Sequence, residues 1–433
     1  MTINVAIIGS GPSGFYTADS LLKSNRDIQI DIIERLPTPF GLIRGGVAPD
    51  HQTTKKVAKA YEKTALKDEV AYFGNVEVGK DVSMGELRDM YDAVVLAVGA
   101  PTDRSLGIRG ADKQGVFGAA GFVGWYNGHP DFTDLNPDLN VGAAAVVGVG
   151  NVAIDIARVL VKTPVEMVAT DIANRATKAV QASPLTDVYL LGRRGPIEAK
   201  FTNVELREMG KLENCMPIIH ADQLPEAVTG ELSDRDLRLK ERNLTTMRKF
   251  LDVDPTGKEK NVHFEFFANP VEVLGGDRVE GLRIERTMVQ DGRAVGTGKT
   301  FEIECGLVVA AIGYYSIPVE GVPFDNDKGI VVHQDGRVGD GVYAVGWIKR
   351  GPTGVIGTNK PDGDIAAQQI LEDVTDGAKL GREALTAMLG ERGVRVVNYA
   401  DWQKIEQAEI AAASGEAPRR KFVTVSEMLA ALD

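Results

Sequence analysis

Val5-Ala6-Ile7-Ile8-Gly9-Ser10-Gly11-Pro12-Ser13-Gly14 is the stretch that decides the fold of this chain. Its first four residues are apolar and mostly β-branched, the composition of a strand buried on both faces. The glycine-rich run then leads into an apolar helical pattern through Phe15, Ala18, Leu21 and Leu22. In such a strand–turn–helix unit Gly9 permits the tight turn and Gly11 lets a pyrophosphate approach the backbone. Gly14 lets helix and strand pack closely. The phosphates would sit on the free N–H groups and positive dipole end of the helix. Ile28 to Ile33 reads as a second strand, and it ends at Glu34, a carboxylate able to accept both hydroxyls of an adenosine ribose.

The same pattern restarts 139 positions later, from Gly9 to Gly148. Ala143 to Val147 is an apolar strand, and Gly148-Val149-Gly150-Asn151-Val152-Ala153 is a second fingerprint, with alanine at the close-packing position. Ile154 to Leu160 opens its helix. The next strand, Val188 to Leu191, ends in Gly192-Arg193-Arg194-Gly195. Where the first unit offers a carboxylate, the second offers two guanidiniums, suited to a ribose 2′-phosphate through bidentate charge-assisted bonds. Arg193 follows Gly150 by 43 positions instead of about 20, so Thr163 to Pro184 reads as an insertion carrying an extra surface helix.

Between and beyond these units the chain alternates. Pro37 to His51 is too rich in Gly and Pro for a regular element, yet too apolar for a solvated linker, as packed functional loops often are. A helix is expected from Thr53 to Leu66, strand material around Val76 to Val78, and a buried strand over Tyr91 to Gly99. Glu231 to Lys249 has helical period and mixed charge, its positives being Arg235, Arg238, Lys240, Arg242, Arg248 and Lys249. Val262 to Phe267, Val271 to Leu274 and Leu282 to Glu285 read as an antiparallel meander. Leu307 to Ile312 and Gly341 to Val345 are further strands, and a helix is expected from Ile365 to Leu371 ahead of a helical, charged tail.

With 433 residues, 43% apolar and 25% charged, the chain has ordinary globular composition and length for two or three domains. A net charge of −12 argues against a nucleic-acid or membrane-surface binder. No apolar run approaches membrane-span length, and a strand starting at Val5 leaves no room for a leader peptide. Cys215 and Cys305 lie far apart, which excludes a CxxC redox pair and a four-cysteine cluster. No metal site is expected, and a cytoplasmic location suits the cysteine usage.

Longer stretches resemble one family. Gly9 to Tyr16, Gly46-Val47-Ala48-Pro49-Asp50-His51, and Gly148 to Ala153 with Asp155 and Arg158 are similar to the adrenodoxin reductase-type ferredoxin–NADP+ reductases. So are Gly192 to Pro196, Phe201-Thr202, Glu205-Leu206-Arg207-Glu208, and Gly346-Trp347-Ile348-Lys349-Arg350-Gly351-Pro352-Thr353-Gly354. The segments run in family order over nearly the whole chain. Trp347 stands where disulfide reductases of the wider class carry Asp, and Gly45 stands where the family usually has an aromatic residue.

The resemblance implies an α/β fold of two Rossmann-like three-layer dinucleotide-binding domains, the NADP domain inserted into a discontinuous FAD domain. The expected divisions are 1–103 and 290–433 for FAD, and 104–289 for NADP. FAD contacts are implied for Ser13, Glu34, Leu42, Val78, Trp347, Gly354, Val355 and Ile356, beside Gly9, Gly11 and Gly14. NADP contacts are implied for Val149, Gly150, Asn151, Val152, Arg193, Arg194, Glu205 and Gly354. The implied activity is an FAD-dependent oxidoreductase passing electrons between NADPH and ferredoxin or a similar small iron–sulfur carrier. It would proceed by hydride transfer to flavin N5 and stepwise reoxidation, with Asp50 and His51 as candidates for tuning the flavin or the proton at N5. Two other readings are an NADPH-oxidising subunit of a larger complex, like the small subunit of glutamate synthase, and a non-catalytic nucleotide-binding scaffold.

Overall fold

The computed structural model describes residues 2–433. The chain enters through β1 (Ile3–Ile8), α1 (Pro12–Leu21), β2 (Ile28–Glu34), β3 (Val70–Gly74) and β4 (Ala93–Leu96). β1 pairs in parallel with both β2 and β4, and all six of its residues are buried. Alternation decides which layer each residue meets. Ile3, Val5 and Ile7 pack with Phe15, Leu21 and Ile370, whereas Ala6 and Ile8 pack with Leu87, Leu385 and Leu389.

The chain then crosses to a second sheet. In order come β5 (Val116–Gly118), α2 (Ala119–Asn127), β6 (Ala143–Val147), α3 (Asn151–Val161) and β7 (Asp187–Leu191). They are followed by α4 (Asn203–Met209), β8 (Cys215–Ile219), α5 (Asp234–Phe250) and β9 (Lys260–Glu265). A meander of β10 (Ala268–Leu274), β11 (Gly281–Gln290) and β12 (Arg293–Glu304) precedes β13 (Leu307–Ala310). The second sheet is parallel throughout, in the order β5-β13-β6-β7-β9-β8. Ala144 and Val146 face the helical layer, with Phe122, Ile154 and Leu206. Ala145 and Val147 face the meander, with Val273, Leu282 and Ile284.

The return passes Tyr314–Tyr315, which pairs antiparallel with the outgoing Thr102–Asp103, so the two crossings run side by side. β14 (Arg337–Gly339) and β15 (Val342–Ala344) then complete the first sheet as β14-β15-β4-β1-β2-β3. Helices α6 (Asn359–Asp373) and α7 (Tyr399–Ala411) follow. No described helix is long and apolar enough to cross a membrane.

Several expectations need correction. A boundary at 289/290 falls at the end of β11, because β13 pairs with β5 and β6 and holds the chain in the second sheet to Ala310. Val262 to Phe267 is not the first strand of the meander; Lys260–Glu265 lies in parallel between β7 and β8. Strand β3 precedes Val76–Val78, and the helix expected over 53–66 is split into Gln52–Lys55 and Ala58–Ala65. The insertion is no mere surface feature. Between its helices Pro164–Met167 and Asn174–Ala182, the N–H of Asp171 donates to the Pro49 carbonyl at 3.3 Å.

The tail fastens both halves. Trp402 is buried edge-on against Phe40, and the fully buried Glu409 carboxylate pairs with Arg44. Farther on, Lys421 Nζ donates to the carbonyls of Arg44 and Asn127, each at 3.1 Å. It also lies 3.2 Å from Asp171, which takes a 2.6 Å bond from Lys55.

Candidate functional site

Each glycine turn of the two sheets closes as its fingerprint requires. Gly9 has φ +106°, and a Cβ there would lie 2.5 Å from the carbonyl oxygen of Ala97 at the end of β4. A Cβ on Gly14 would collide with the Gly9 carbonyl, which is how closely α1 seats on the turn. In the second unit Gly148 has φ +142° and abuts Ala311, while Ala153 is fully buried. Cβ atoms built on Gly11 and Gly150 would meet nothing within 4 Å. Those residues are the N-caps of α1 and α3, and neither helix has a side-chain cap. Unsatisfied N–H groups therefore face open space at both helix starts, the setting that accepts a phosphate.

The ends of the second strands carry opposite charge. Glu34 closes β2 with one carboxylate oxygen accepting from Ser10 N (3.1 Å) and Ser10 Oγ (2.7 Å), and the other from Leu36 N (3.2 Å). Beyond β7, Arg193 is exposed with no side-chain partner among the described residues, and Arg194 is half-buried with Nη1 donating to the Gly292 carbonyl at 3.2 Å.

Two segments that carry expected contact residues, the loop with Leu42 and the bend with Trp347, border the first turn. Phe40 N donates to Ser10 O at 3.0 Å, and Gly41 lies against Gly11, so the loop carrying Leu42 borders the cradle. Leu42 and Val355 are about half exposed, at 48% and 58%, and Val78 is half-buried. Gly346 backs onto Ser13, which brings Trp347 to the start of α1. The Trp347 indole stacks on Tyr314 at 5.9 Å and donates to the Thr353 carbonyl at 3.2 Å, bracing the turn that carries Gly354, Val355 and Ile356. Asp362 of α6 pairs with Lys349 and Arg350 and accepts from Gly346 N, so these two cations are engaged inside the loop. At Gly45 the space beside the backbone is filled by His129, whose Cδ2 lies 2.9 Å from where a Cβ would stand.

Asp50 and His51 meet α3 and α4 at the seam between the sheets. Arg158, fully buried, donates Nε to Asp50 Oδ2 at 2.6 Å and Nη2 to Oδ1 at 3.1 Å, while Lys162 reaches Oδ2 at 2.6 Å. Burial alone would raise the Asp50 carboxyl. The bonds and charge of Arg158, with those of Lys162, outweigh it and hold the group well below the usual carboxylate range. His51 Nε2 lies 3.0 Å from Glu208, 3.2 Å from Glu205 and 2.7 Å from Arg158 Nη2. Burial depresses His51, but the bond to Glu208 raises it overall. Burial, then the charge of Asp155, pushes Glu205 up to about 7.

Glu205 thus joins His51, not the arginine turn. His51, Glu205 and Glu208 place donor atoms within 4.8 Å of one another, a metal-like spacing, but Arg158 already stands among them, 3.4 Å from each carboxylate. The sequence did carry a signal for this cluster. Asp155 and Arg158 in the apolar α3, with Lys162 at its C-cap, follow at spacings of three and four, the spacing that sets charges on one side of a helix.

Comparison with known proteins follows the same lines. Residues 3–188 match the family described as pyridine nucleotide-disulphide oxidoreductase. Over 461 aligned residues the chain is 41% identical to the mitochondrial NADPH:adrenodoxin oxidoreductase of Arabidopsis thaliana, covering 99% of this chain and 95% of that one. It is 40% identical to the NADPH-ferredoxin reductase FprA of Mycobacterium tuberculosis, with 98% of each chain covered. The solved structure of Mycobacterium tuberculosis FprA in complex with NADPH superposes on all of this chain with a TM-score of 0.94 at 38% identity.

Proposed function

Because this chain belongs to the family of NADPH:adrenodoxin oxidoreductases and FprA-type NADPH-ferredoxin reductases, we propose that it transfers electrons between NADPH and a ferredoxin-like iron–sulfur carrier, using FAD. The observation that carries this reading is the pair of open glycine cradles with opposite charge at their rims, Glu34 on one and Arg193–Arg194 on the other. Bound FAD supplies the conversion between the two-electron chemistry of a nicotinamide and the one-electron chemistry of an iron–sulfur centre.

The residues have separable tasks. Gly9, Gly11, Ser13 and Gly14 hold the FAD diphosphate and Glu34 its ribose, with Leu42, Val78, Trp347 and Gly354 to Ile356 bordering the same groove. Val149 to Val152 hold the NADP diphosphate, and Arg193 and Arg194 its 2′-phosphate. Asp50 has both oxygens tied to Arg158 and Lys162. It is a positioning residue that fixes the loop before His51 and does not exchange a proton near neutral pH. His51, with Glu205, Glu208 and Arg158 around Nε2, is a proton-exchanging group at the seam where the two cofactor units meet. Net charge −12 repels an acidic carrier, so docking needs a local positive surface. On α5 Arg235, Arg238, Arg242 and Lys249 are exposed and spaced to share one face. We place the reaction in the cytoplasm, where the buried, unpaired Cys215 and Cys305 stay reduced.

The test is direct. Protein purified with FAD should bleach on addition of NADPH under nitrogen, and should reduce cytochrome c only when ferredoxin is added. A protein that retains flavin but is not reduced by NADPH overturns the proposal.

A further inference from the structure

The hairpin β11–β12 extends beyond the sheet that supports it. β10 accompanies β11 only from Ala268↔Arg286 to Leu274↔Gly281. Past that point Thr287 to Gly296 is a two-stranded ribbon, paired Thr287↔Gly296 through Gln290↔Arg293 and closed by Asp291-Gly292 at φ +51° and +71°. Asp-Gly with both φ values positive is the tight hairpin turn that matches strand twist. The pairing jumps between Glu285 and Thr287, leaving Thr297 to Lys299 as a bulge. Thr297 Oγ1 donates to Arg286 O at 2.7 Å, and Gly298 N donates to Glu285 Oε1 at 2.9 Å, so the bulge is fixed. Bulges re-aim the strand that follows them.

This ribbon is aimed at the arginine turn. Thr287 Oγ1 donates to the Arg193 carbonyl at 2.8 Å, and Thr287 N donates to Phe267 O at 2.9 Å. Phe267 N in turn donates to the Arg194 carbonyl at 3.1 Å, and Arg194 Nη1 reaches Gly292 O at the ribbon tip. Both arginine carbonyls and one guanidinium N–H are therefore held by the ribbon or its neighbour. A two-stranded ribbon is marginal alone, and beyond the buried Thr287 this one is largely exposed, Met288 at 53% and Val295 at 40%.

We infer that the ribbon Thr287–Gly296 is a positioning arm for Arg193 and Arg194, that Thr287 is its positioning residue, and that the arm sharpens the preference for a 2′-phosphorylated nicotinamide cofactor. The inference rests on the reading of the arginine pair given above. A guanidinium carries five N–H donors, so one bond to Gly292 restrains Arg194 while leaving most donors for an anion. A side chain held in place beforehand loses less freedom when its ligand arrives.

Flavin-loaded wild type, Thr287→Val, Thr287→Ser and a variant with Met288–Val295 replaced by Asn-Gly separate the possibilities by calorimetry with 2′,5′-ADP and 5′-AMP. Thr287→Val and the shortened ribbon should weaken 2′,5′-ADP about tenfold, the value of one hydrogen bond. They should leave 5′-AMP and flavin content unchanged, and Thr287→Ser should restore the wild-type value. An unchanged preference in both Thr287→Val and the shortened ribbon overturns the inference, as does an equal loss for both nucleotides. Wild type binding 2′,5′-ADP no better than 5′-AMP would instead refute the arginine pair itself.

Discussion

Replacing Glu205 by Gln should make the protein more stable, and more so as pH rises. In the fold Glu205 is 17% exposed, lies 3.2 Å from His51 and 3.4 Å from Arg158, and has Asp155 and Glu208 as anionic neighbours. Burial and those anions raise its carboxyl from 4.5 to about 7. The folded state therefore binds more protons than the unfolded one between these limits, and stability falls as pH rises through them. At about 1.4 kcal/mol per pKa unit, the cost above pH 7 is about 3 kcal/mol. Gln keeps the shape and a hydrogen-bonding tip without the charge. Wild type and variant, both flavin-loaded, should thus melt together near pH 4.5 and diverge towards pH 8. Since about 2–4 °C corresponds to 1 kcal/mol for domains of this size, the variant should melt about 6–12 °C higher at pH 8. His51, also raised, contributes stability that is full below 6.5 and lost as pH climbs through its folded value, a slope that persists in the variant. Circular dichroism melts across that range decide the matter. Parallel curves, or a variant less stable at pH 8, would refute the charge assignment at the seam.

Three further outcomes are expected. Arg193→Ala/Arg194→Ala should raise the NADPH KM at least about a hundredfold, two charge-assisted bonds at roughly 1.5–3 kcal/mol each, with flavin content and NADH kinetics nearly unchanged; equal loss with both nicotinamides would show the arginines to be structural. Glu34→Arg should release FAD during dialysis while the apo-protein stays folded, and full flavin retention would count against the ribose assignment. Arg238→Glu/Arg242→Glu should weaken ferredoxin-coupled turnover and its salt dependence without altering ferricyanide reduction; if both activities fell, α5 would be serving stability.

What could be read from the sequence was what local spacing encodes. Gly9, Gly11 and Gly14 declare a turn within six residues, and Glu34 and the arginines follow strands that the apolar residues of Ile28–Ile33 and Val188–Leu191 mark. The family resemblance, carried by ordered local motifs, agrees with relatives matched over nearly the whole chain. Of the seam only the charged face of α3 was legible; the partners were not, because its bonds join distant residues: Asp50 and Arg158 are 108 positions apart, His51 and Glu208 157. Nor was the return to the first sheet. Leu307–Ala310 is an apolar strand that fits either sheet by composition, and only its pairing with β5 and β6 assigns it. Lys349 and Arg350 look like free surface cations until Asp362, in the first turn of α6, engages both.

The interleaved strand order also bears on how the chain is made. Synthesis delivers β1 to β4 first, yet β14 and β15 complete their sheet only after the whole inserted unit has emerged. That unit has all its strands at Ala310, before either β14 or β15 has been made. With 246 positions between Leu96 and Val342, at ribosomal rates of about 5–20 residues per second the nascent first sheet waits roughly 12–49 s with β4 as an open edge. Trp347, Gly354 and the Lys421 tie that fastens the Arg44 loop arrive later still. Flavin capture is therefore a late event in the life of each molecule, and a chain interrupted before Gly346 would carry a finished nicotinamide unit beside an unfinished flavin seat.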